Sequence, residues 1–326
     1  MSLLEITDLT VGFDTEDGTV HAVKGVSFGV ERGEILALCG ESGCGKSVTA
    51  MAVPRLLPSA TTRLSGSIKL DGRELTVLPE AEMRRIRGKE VAVVFQEPMT
   101  SLNPSFTVGY QITEVLRRHE RLSARAARAR AVELLELVGI PAPHRRVGEY
   151  PHQLSGGMCQ RVMIAIAVAC SPQLLIADEP TTALDVTIQA GVLDVFRDLR
   201  DRLGTAIILI THDLGVVADI ADRAVVMYAG RAVEQAPVEE LFARPRHPYS
   251  LGLMRALPAA AVVGPDGRRR LTEIPGMVPS PLSDPQECAF HPRCPSAQAD
   301  CTASRPPLER HGDAHLAACF HPGGHP

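Results

Sequence analysis

At 326 residues the chain exceeds the usual size of a single core, which favours one large domain with additions. Apolar residues make up 45% and charged residues 22%, usage that excludes a disordered, collagen-like or coiled-coil chain. Thirty-four basic against 38 acidic side chains leave a net charge of −4, which gives no electrostatic basis for wrapping nucleic acid. The longest apolar run, residues 163–170, falls far short of the ~18 residues of a membrane span. The opening MSLLEITDLT lacks the basic-then-apolar pattern of a secretory leader, so a soluble intracellular protein is expected.

In chain order, strands are expected at residues 3–9, 20–30 and 34–39, then at 91–95, 174–177, 206–210 and 224–228. Apolar residues at three- and four-residue spacing predict a helix over 186–203. The Arg- and Ala-rich stretch 123–139 reads as a helix ended by Gly139 and Pro141. It lies in a mainly helical region, roughly 111–171, that interrupts the strand alternation as an inserted subdomain. Buried strands alternating with helices imply a mostly parallel sheet covered on both faces. Beyond Arg244 prolines abound, apolar runs are few, and four of the eight cysteines gather. Such a loop-rich appendage needs a staple.

The strand at 34–39 runs into GESGCGKS, residues 40–47, which matches G-x-x-x-x-G-K-S/T. Glycines let the backbone curl so that successive N–H groups face a polyphosphate, and the helix behind presents its N-terminus to the same anion. Ser42, Gly43, Cys44, Gly45, Lys46, Ser47 and Val48 form the expected nucleotide-binding set, with Lys46 on the outer phosphates and the Ser47 hydroxyl on Mg²⁺. The chain holds only four lysines (Lys24, Lys46, Lys69, Lys89) against thirty arginines, so a lysine at this spacing is informative. LLIADEP, residues 174–180, ends a buried strand on Asp178, a second Mg²⁺ ligand, followed by Glu179 to polarise an attacking water. LSGGMCQR, residues 154–161, opens a helix on Ser155 and Gly157. A second anion site in a chain that already has one suits the γ-phosphate of a nucleotide held by another chain. Two half-sites per chain imply a head-to-tail ATPase dimer.

The order of cradle, Gln96 in FQEP, LSGG segment, LLIADE, AlaLeuAsp and ThrHisAsp resembles an ABC-transporter ATPase subunit over about residues 1–245. The resemblance implies an α/β fold: a RecA-like P-loop core, an antiparallel β subdomain and a helical subdomain of about residues 100–171. It implies that Gln96 senses Mg²⁺ and couples to membrane subunits, that Asp185 contacts the partner ATPase, and that His212 contacts the γ-phosphate. Phe13 matches the position at which the family stacks an aromatic on adenine. Met158 and Cys159 depart from the commonest signature residues.

Cys39, Cys44, Cys159 and Cys170 fall in or near the motifs and core, whereas Cys288, Cys294, Cys301 and Cys319 stand apart with intervals x5, x6 and x17. A reducing compartment disfavours disulfides; zinc, an iron–sulfur cluster and unrelated buried thiols stay open. HisProTyrSer at 247–250, GluIleProGly at 273–276 and CysAlaPheHisProArgCysPro at 288–295 resemble the C-terminal extension of oligopeptide and dipeptide importer ATPases, over residues 246–326. That resemblance implies a [4Fe-4S] cluster on Cys288, Cys294, Cys301 and Cys319, with Zn²⁺ as the alternative; because four cysteines already complete such a site, His291 and His315 are expected to be solvated rather than ligands. The whole reading is an ATPase subunit at the cytoplasmic face of the membrane. It would work with a second, non-identical ATPase, two permeases and an extracytoplasmic peptide-binding protein, and with no nucleic acid. Three rivals are the same engine for nickel or oligosaccharide cargo, a DNA-repair ATPase, and a regulatory module without turnover. The repair reading is weakened by the lack of C-x-x-C pairs in the core, and the regulatory one by Glu179 and His212.

Overall fold

The computed structural model of the protein describes residues 2–182, 184–257, 262–263, 269–270 and 273–323. The chain divides into two compact units, one of residues 31–35 and 77–210, the other of residues 2–30, 36–76 and 211–326.

The second unit opens with two long strands, β1 (Ser2–Thr15) and β2 (Gly18–Glu31). β3 (Ile35–Cys39) follows, all five of its residues buried, and the glycine loop leads into α1 (Lys46–Ala52). β4 (Thr62–Leu70) and the short β5 (Arg73–Glu74) complete a four-stranded sheet of order β2-β1-β4-β5. β1 pairs antiparallel with β4, and its register shifts between Thr7 and Thr10, around Asp8 at φ +48°. That bulge sharpens the twist of a long strand.

The other unit carries α2 (Glu80–Ile86), β6 (Val91–Val94), α3 (Pro98–Ser101), α4 (Val108–Glu120), α5 (Ala124–Leu137), α6 (Pro143–Arg146), α7 (Gly156–Ala167), β7 (Leu174–Asp178), α8 (Val186–Leu203) and β8 (Ala206–Thr211). β6, β7 and β8 run parallel in that order, with burial on both faces. Polar side chains start the long helices: Thr107, Ser123, Ser155 and Asp185 each accept an N–H from the first turn of α4, α5, α7 and α8. Gly204, at φ +66°, ends α8 in the left-handed conformation that glycine adopts without cost. The Arg161 guanidinium on α7 donates to the Val138 carbonyl at 2.8 Å, satisfying the C-terminal end of α5.

The chain then returns to the second unit through α9 (Leu214–Ile220), β9 (Arg223–Tyr228), β10 (Arg231–Pro237), α10 (Val238–Ala243), α11 (Pro248–Arg255), β11 (Val262–Val263), β12 (Arg269–Arg270), α12 (Ala299–Ala303), β13 (Glu309–Arg310) and β14 (Leu316–Ala317). β3 pairs in parallel with β9, then β10, β14 and β13 follow in antiparallel order. The core here joins Ala37 and Cys39 of β3 to Tyr228, Val233, Tyr249 and Phe290. Residues 273–323 therefore anchor through aromatic packing on the back of the strand that feeds the glycine loop. Among the described residues no helix is long and apolar enough to cross a membrane.

Candidate functional site

Two sets of chemistry-bearing residues lie on the two units. On the second unit, β3 ends in the loop 40–47, where Gly40, Gly43 and Gly45 sit at φ +143°, +77° and +97°. At Gly45 an added Cβ would lie 2.4 Å from the Ala22 carbonyl oxygen, and at Gly40 2.2 Å from that of Met227. Neither backbone oxygen can yield, so the curl requires glycine at both positions. Lys46 begins α1 and is 5% exposed, its Nζ donating to the carbonyls of Gly40 and Glu41 at 2.8 and 2.9 Å. Ser42 and Gly43 form the exposed rim, while Cys44 and Gly45 lie buried beneath. Burial pushes the thiol of Cys39 up to about 12 and raises that of Cys44, so both stay neutral packing groups beside the ammonium. A curled glycine loop around a lysine and a helix start is chemically matched to a polyphosphate. Ser47 and Val48 follow in the first turn of α1, half-buried, and Phe13 is half-buried near the end of β1. His212 is exposed just after β8, beside Asp213, whose carboxylate accepts from Gly215 to start α9.

On the other unit, β7 ends at Asp178, and Glu179 follows at φ +45°, a left-handed conformation unfavourable for a residue with a Cβ. Its N–H donates to the Ile210 carbonyl, which holds the turn, and its carboxylate accepts from Gln96 Nε2 at 3.2 Å and Thr182 Oγ1 at 2.9 Å. The structure thus brings together Gln96 and Glu179, 83 residues apart. Asp178 at the end of β7 offers a carboxylate, the hard oxygen donor that Mg²⁺ favours. Ser155 and Asp185 are exposed and cap α7 and α8, while Gly157 is buried where an added Cβ would meet Ile188 at 2.6 Å. Next to Asp185, Val186 is 84% exposed, an apolar side chain left open beside the capping group.

Known proteins place the chain in a family. The family described as ABC transporter matches residues 23–182, and that described as oligopeptide/dipeptide transporter, C-terminal region, matches residues 233–301. The oligopeptide transport ATP-binding protein OppD of Bacillus subtilis (strain 168) is 51% identical over 314 residues, covering 96% of this chain and 87% of its own. AppD of the same organism, also an oligopeptide transport ATP-binding protein, is 50% identical over 321 residues, covering 98% and 96%. The chain belongs to the ATP-binding subunits of the oligopeptide/dipeptide ABC transporter family. It is an ABC-type ATPase with the P-loop cassette fold. A dimeric post-hydrolysis state of the ATP-binding cassette MJ0796, bound to ADP and Pi, superposes with a TM-score of 0.65 at 26% identity, covering 72% of this chain and 98% of that one.

For this family member two expectations about the C-terminal segment are corrected. The four-thiolate iron–sulfur site is not carried over. Among the described residues, the donor atoms that converge within 4.8 Å belong to Asp300, Cys301 and His321 rather than to Cys288, Cys294, Cys301 and Cys319. The relatives bear the names of ordinary ATP-binding subunits. Asp300 and His321 already pair at 2.9 Å, and burial pushes up the thiols of Cys288, Cys294 and Cys319, the last to about 11, which favours neutral thiols. His315 is not solvated: it is 4% exposed, with Nε2 2.6 Å from the fully buried Glu234 carboxylate, which also accepts the N–H groups of Arg246 and His247. That site is too well satisfied to leave the ring in water.

Sequence reasoning passed over Glu41, Thr182, Tyr249 and Arg293, all of which touch the residues above. Glu41 occupies a variable position of the cradle motif, and Tyr249 and Arg293 lie inside two segments already singled out, so the usable signal was their place in those segments.

Proposed function

We propose that the chain is the ATP-hydrolysing subunit of an importer of dipeptides or oligopeptides. The observation that carries this is the coexistence in one chain of the ABC transporter match and the oligopeptide/dipeptide C-terminal match, with about half of all residues identical to named oligopeptide ATP-binding proteins. Lys46 and the loop N–H groups hold the triphosphate, and Phe13 packs on the base. Ser47, Asp178 and Gln96 supply Mg²⁺ ligation; when bound, the ion neutralises charge developing on the transferred phosphoryl group. Glu179 draws a proton from the attacking water, steadied by Thr182 and Gln96. His212 donates toward the γ-phosphate. Ser155 and Gly157 of one subunit close over nucleotide held by another, with Asp185 at the seam, so that binding joins two ATPases and hydrolysis parts them. The second ATPase is a non-identical chain, and the pair works at the cytoplasmic membrane face beneath two permeases fed by an extracytoplasmic peptide-binding protein.

Glu179→Gln tests the chemistry. It keeps the hydrogen bonds but removes the base, so phosphate release should fall by about 10²–10⁴-fold with nucleotide binding kept. Undiminished hydrolysis would sink the assignment of Glu179. Uptake of labelled dipeptides and oligopeptides by a deletion strain, lost with the gene and restored by it, tests the cargo.

A further inference from the structure

Glu41 is the first variable residue of the cradle, and three of its groups are engaged. Its carbonyl accepts from Lys46 Nζ at 2.9 Å. Its N–H donates to the Tyr249 phenol oxygen at 2.8 Å, and its carboxylate accepts both terminal nitrogens of Arg293 at 2.8 and 2.9 Å. Two of the three engagements thus come from residues more than 200 positions away in sequence.

Arg293 is itself fully engaged. Nη1 donates to Glu41 Oε2 and to the Tyr228 hydroxyl, Nη2 to Glu41 Oε1 and the Ile274 carbonyl, and Nε to the Pro275 carbonyl. Five N–H donors meet five acceptors, the full capacity of a guanidinium. The cation lies 5.7 Å from the Tyr228 ring centroid and 6.0 Å from that of Phe290, and its side chain is only 5% exposed. Hydrogen bonding to Glu41 raises its affinity for its proton further. Tyr249 is fully buried, with ring centroids 4.7 Å from Tyr228 and 5.4 Å from Phe290. A rigid aromatic block from the C-terminal part of the chain therefore grips one residue of the phosphate loop by both backbone and side chain.

We propose that Tyr249 and Arg293 are positioning residues of the nucleotide site, through which the C-terminal segment sets the affinity of the cradle for a nucleoside triphosphate. A loop with three glycines at positive φ has many alternative conformations, and ordering it on binding costs affinity. Holding Glu41 beforehand removes part of that cost and fixes the carbonyl on which Lys46 rests. By linkage the effect is reciprocal: a bound nucleotide steadies the C-terminal segment as much as the segment steadies the loop. The inference rests on the ATPase reading above and deepens it.

The experiment titrates a fluorescent ATP analogue with Mg²⁺ into the full-length chain, with melting curves in parallel, for Tyr249→Phe, Arg293→Met and Arg293→Lys. Tyr249→Phe keeps the packing and removes only the oxygen that accepts the Glu41 N–H. It should weaken nucleotide binding about fivefold, and Arg293→Met about tenfold. Arg293→Lys, which keeps charge but loses the fork, should recover only part of that loss. Combining Arg293→Met with Glu41→Gln should cost less than the sum of the two. In the assembled transporter KM for ATP should rise while kcat stays within about twofold, a split that general destabilisation would not give. Unchanged affinity in folded Tyr249→Phe and Arg293→Met overturns the proposal; should Arg293→Met not fold, Tyr249→Phe decides alone. If the unsubstituted chain fails to bind the analogue, the ATPase reading falls with it, whereas unaltered binding in the variants removes this inference only.

Discussion

The glycine loop 40–47 and the segment 273–323 both consist largely of irregular backbone, and they are fixed by opposite means. The loop is shaped mainly by local features, glycines at positive φ, carbonyls within six residues of Lys46 and a helix that starts where the curl ends, with Glu41 alone held from afar. The segment is shaped from a distance. Phe290 packs on Tyr228 and Tyr249, His315 pairs with Glu234, and Arg293 reaches Glu41, 252 residues away. The loop owes its curl to its own glycines and is pinned from afar at Glu41, whereas the segment keeps its form only while its distant partners stay folded. The first kind of element is suited to chemistry, the second to reporting on its neighbours.

The sharpest test removes the centre of the long-range element. Phe290 is 2% exposed, with rings at 5.2 Å (Tyr228), 5.4 Å (Tyr249) and 5.6 Å (His247). Phe290→Ala should cost about 3–5 kcal/mol, the range for deleting a buried aromatic, read as a lowered denaturant midpoint. A midpoint equal to that of the unsubstituted chain would show that the segment is not built on this core. Gly45→Ala makes the opposite cut. With φ at +97° and a backbone oxygen 2.4 Å from the new Cβ, the loop must open. Nucleotide affinity should fall about 100-fold, roughly 2.7 kcal/mol, in a calorimetric titration, with far less change in the denaturant midpoint than Phe290→Ala produces. A Gly45→Ala chain that still binds nucleotide tightly would refute the local account of the loop.

This division also explains what could be read in the sequence. The strand and helix pattern around residues 34–47, 91–95 and 174–210 was legible because buried parallel strands are continuous apolar runs and the 186–203 helix has clean periodicity. β1 and β2 run farther than their apolar cores, and β4 and β10 were missed, because each mixes exposed polar with buried residues in a broken alternation. Glu179 with Gln96 was anticipated as two roles but not as a hydrogen-bonded pair. Cysteine spacing suggested a metal staple for the C-terminal segment, where the structure uses an aromatic core and the Arg293 fork. Spacing along the chain carries no information about which buried ring a distant arginine will meet.

A pH titration probes the long-range side without cutting it. His247 is 2% exposed, and burial lowers its pKa to about 4, while Glu234 opposes that shift. The folded value lies below the unfolded one of about 6.5, so the unfolded chain binds the extra proton between them. Stability from the neutral ring is present above pH 6.5 and lost as pH falls toward 4, by roughly 2 kcal/mol between pH 7 and 4.5. His247 Nδ1 accepts the Tyr249 N–H at the start of α11, a role that an asparagine side chain can fill. His247→Asn should therefore flatten the decline in melting midpoint over that window, and an unaltered slope would place the acid sensitivity elsewhere.

The smallest effect compares one bond in two settings. Arg63 and Asp14 pair at 2.8 Å with side chains 72% and 45% exposed, and the hydrogen bond from Arg63 holds the Asp14 carboxyl below its ordinary range. Arg293 and Glu41 pair at the same distance with side chains 5% and 27% exposed. Water solvates the first pair almost as well apart as together, so its separation changes little; the second is largely shielded from water, and its loss strands a half-buried carboxylate. Arg63→Ala should leave the melting midpoint within replicate scatter at both low and high salt, while Arg293→Met lowers it clearly. Equal responses from the two variants would mean that burial, and with it the aromatic block around Arg293, contributes nothing to the grip on the phosphate loop.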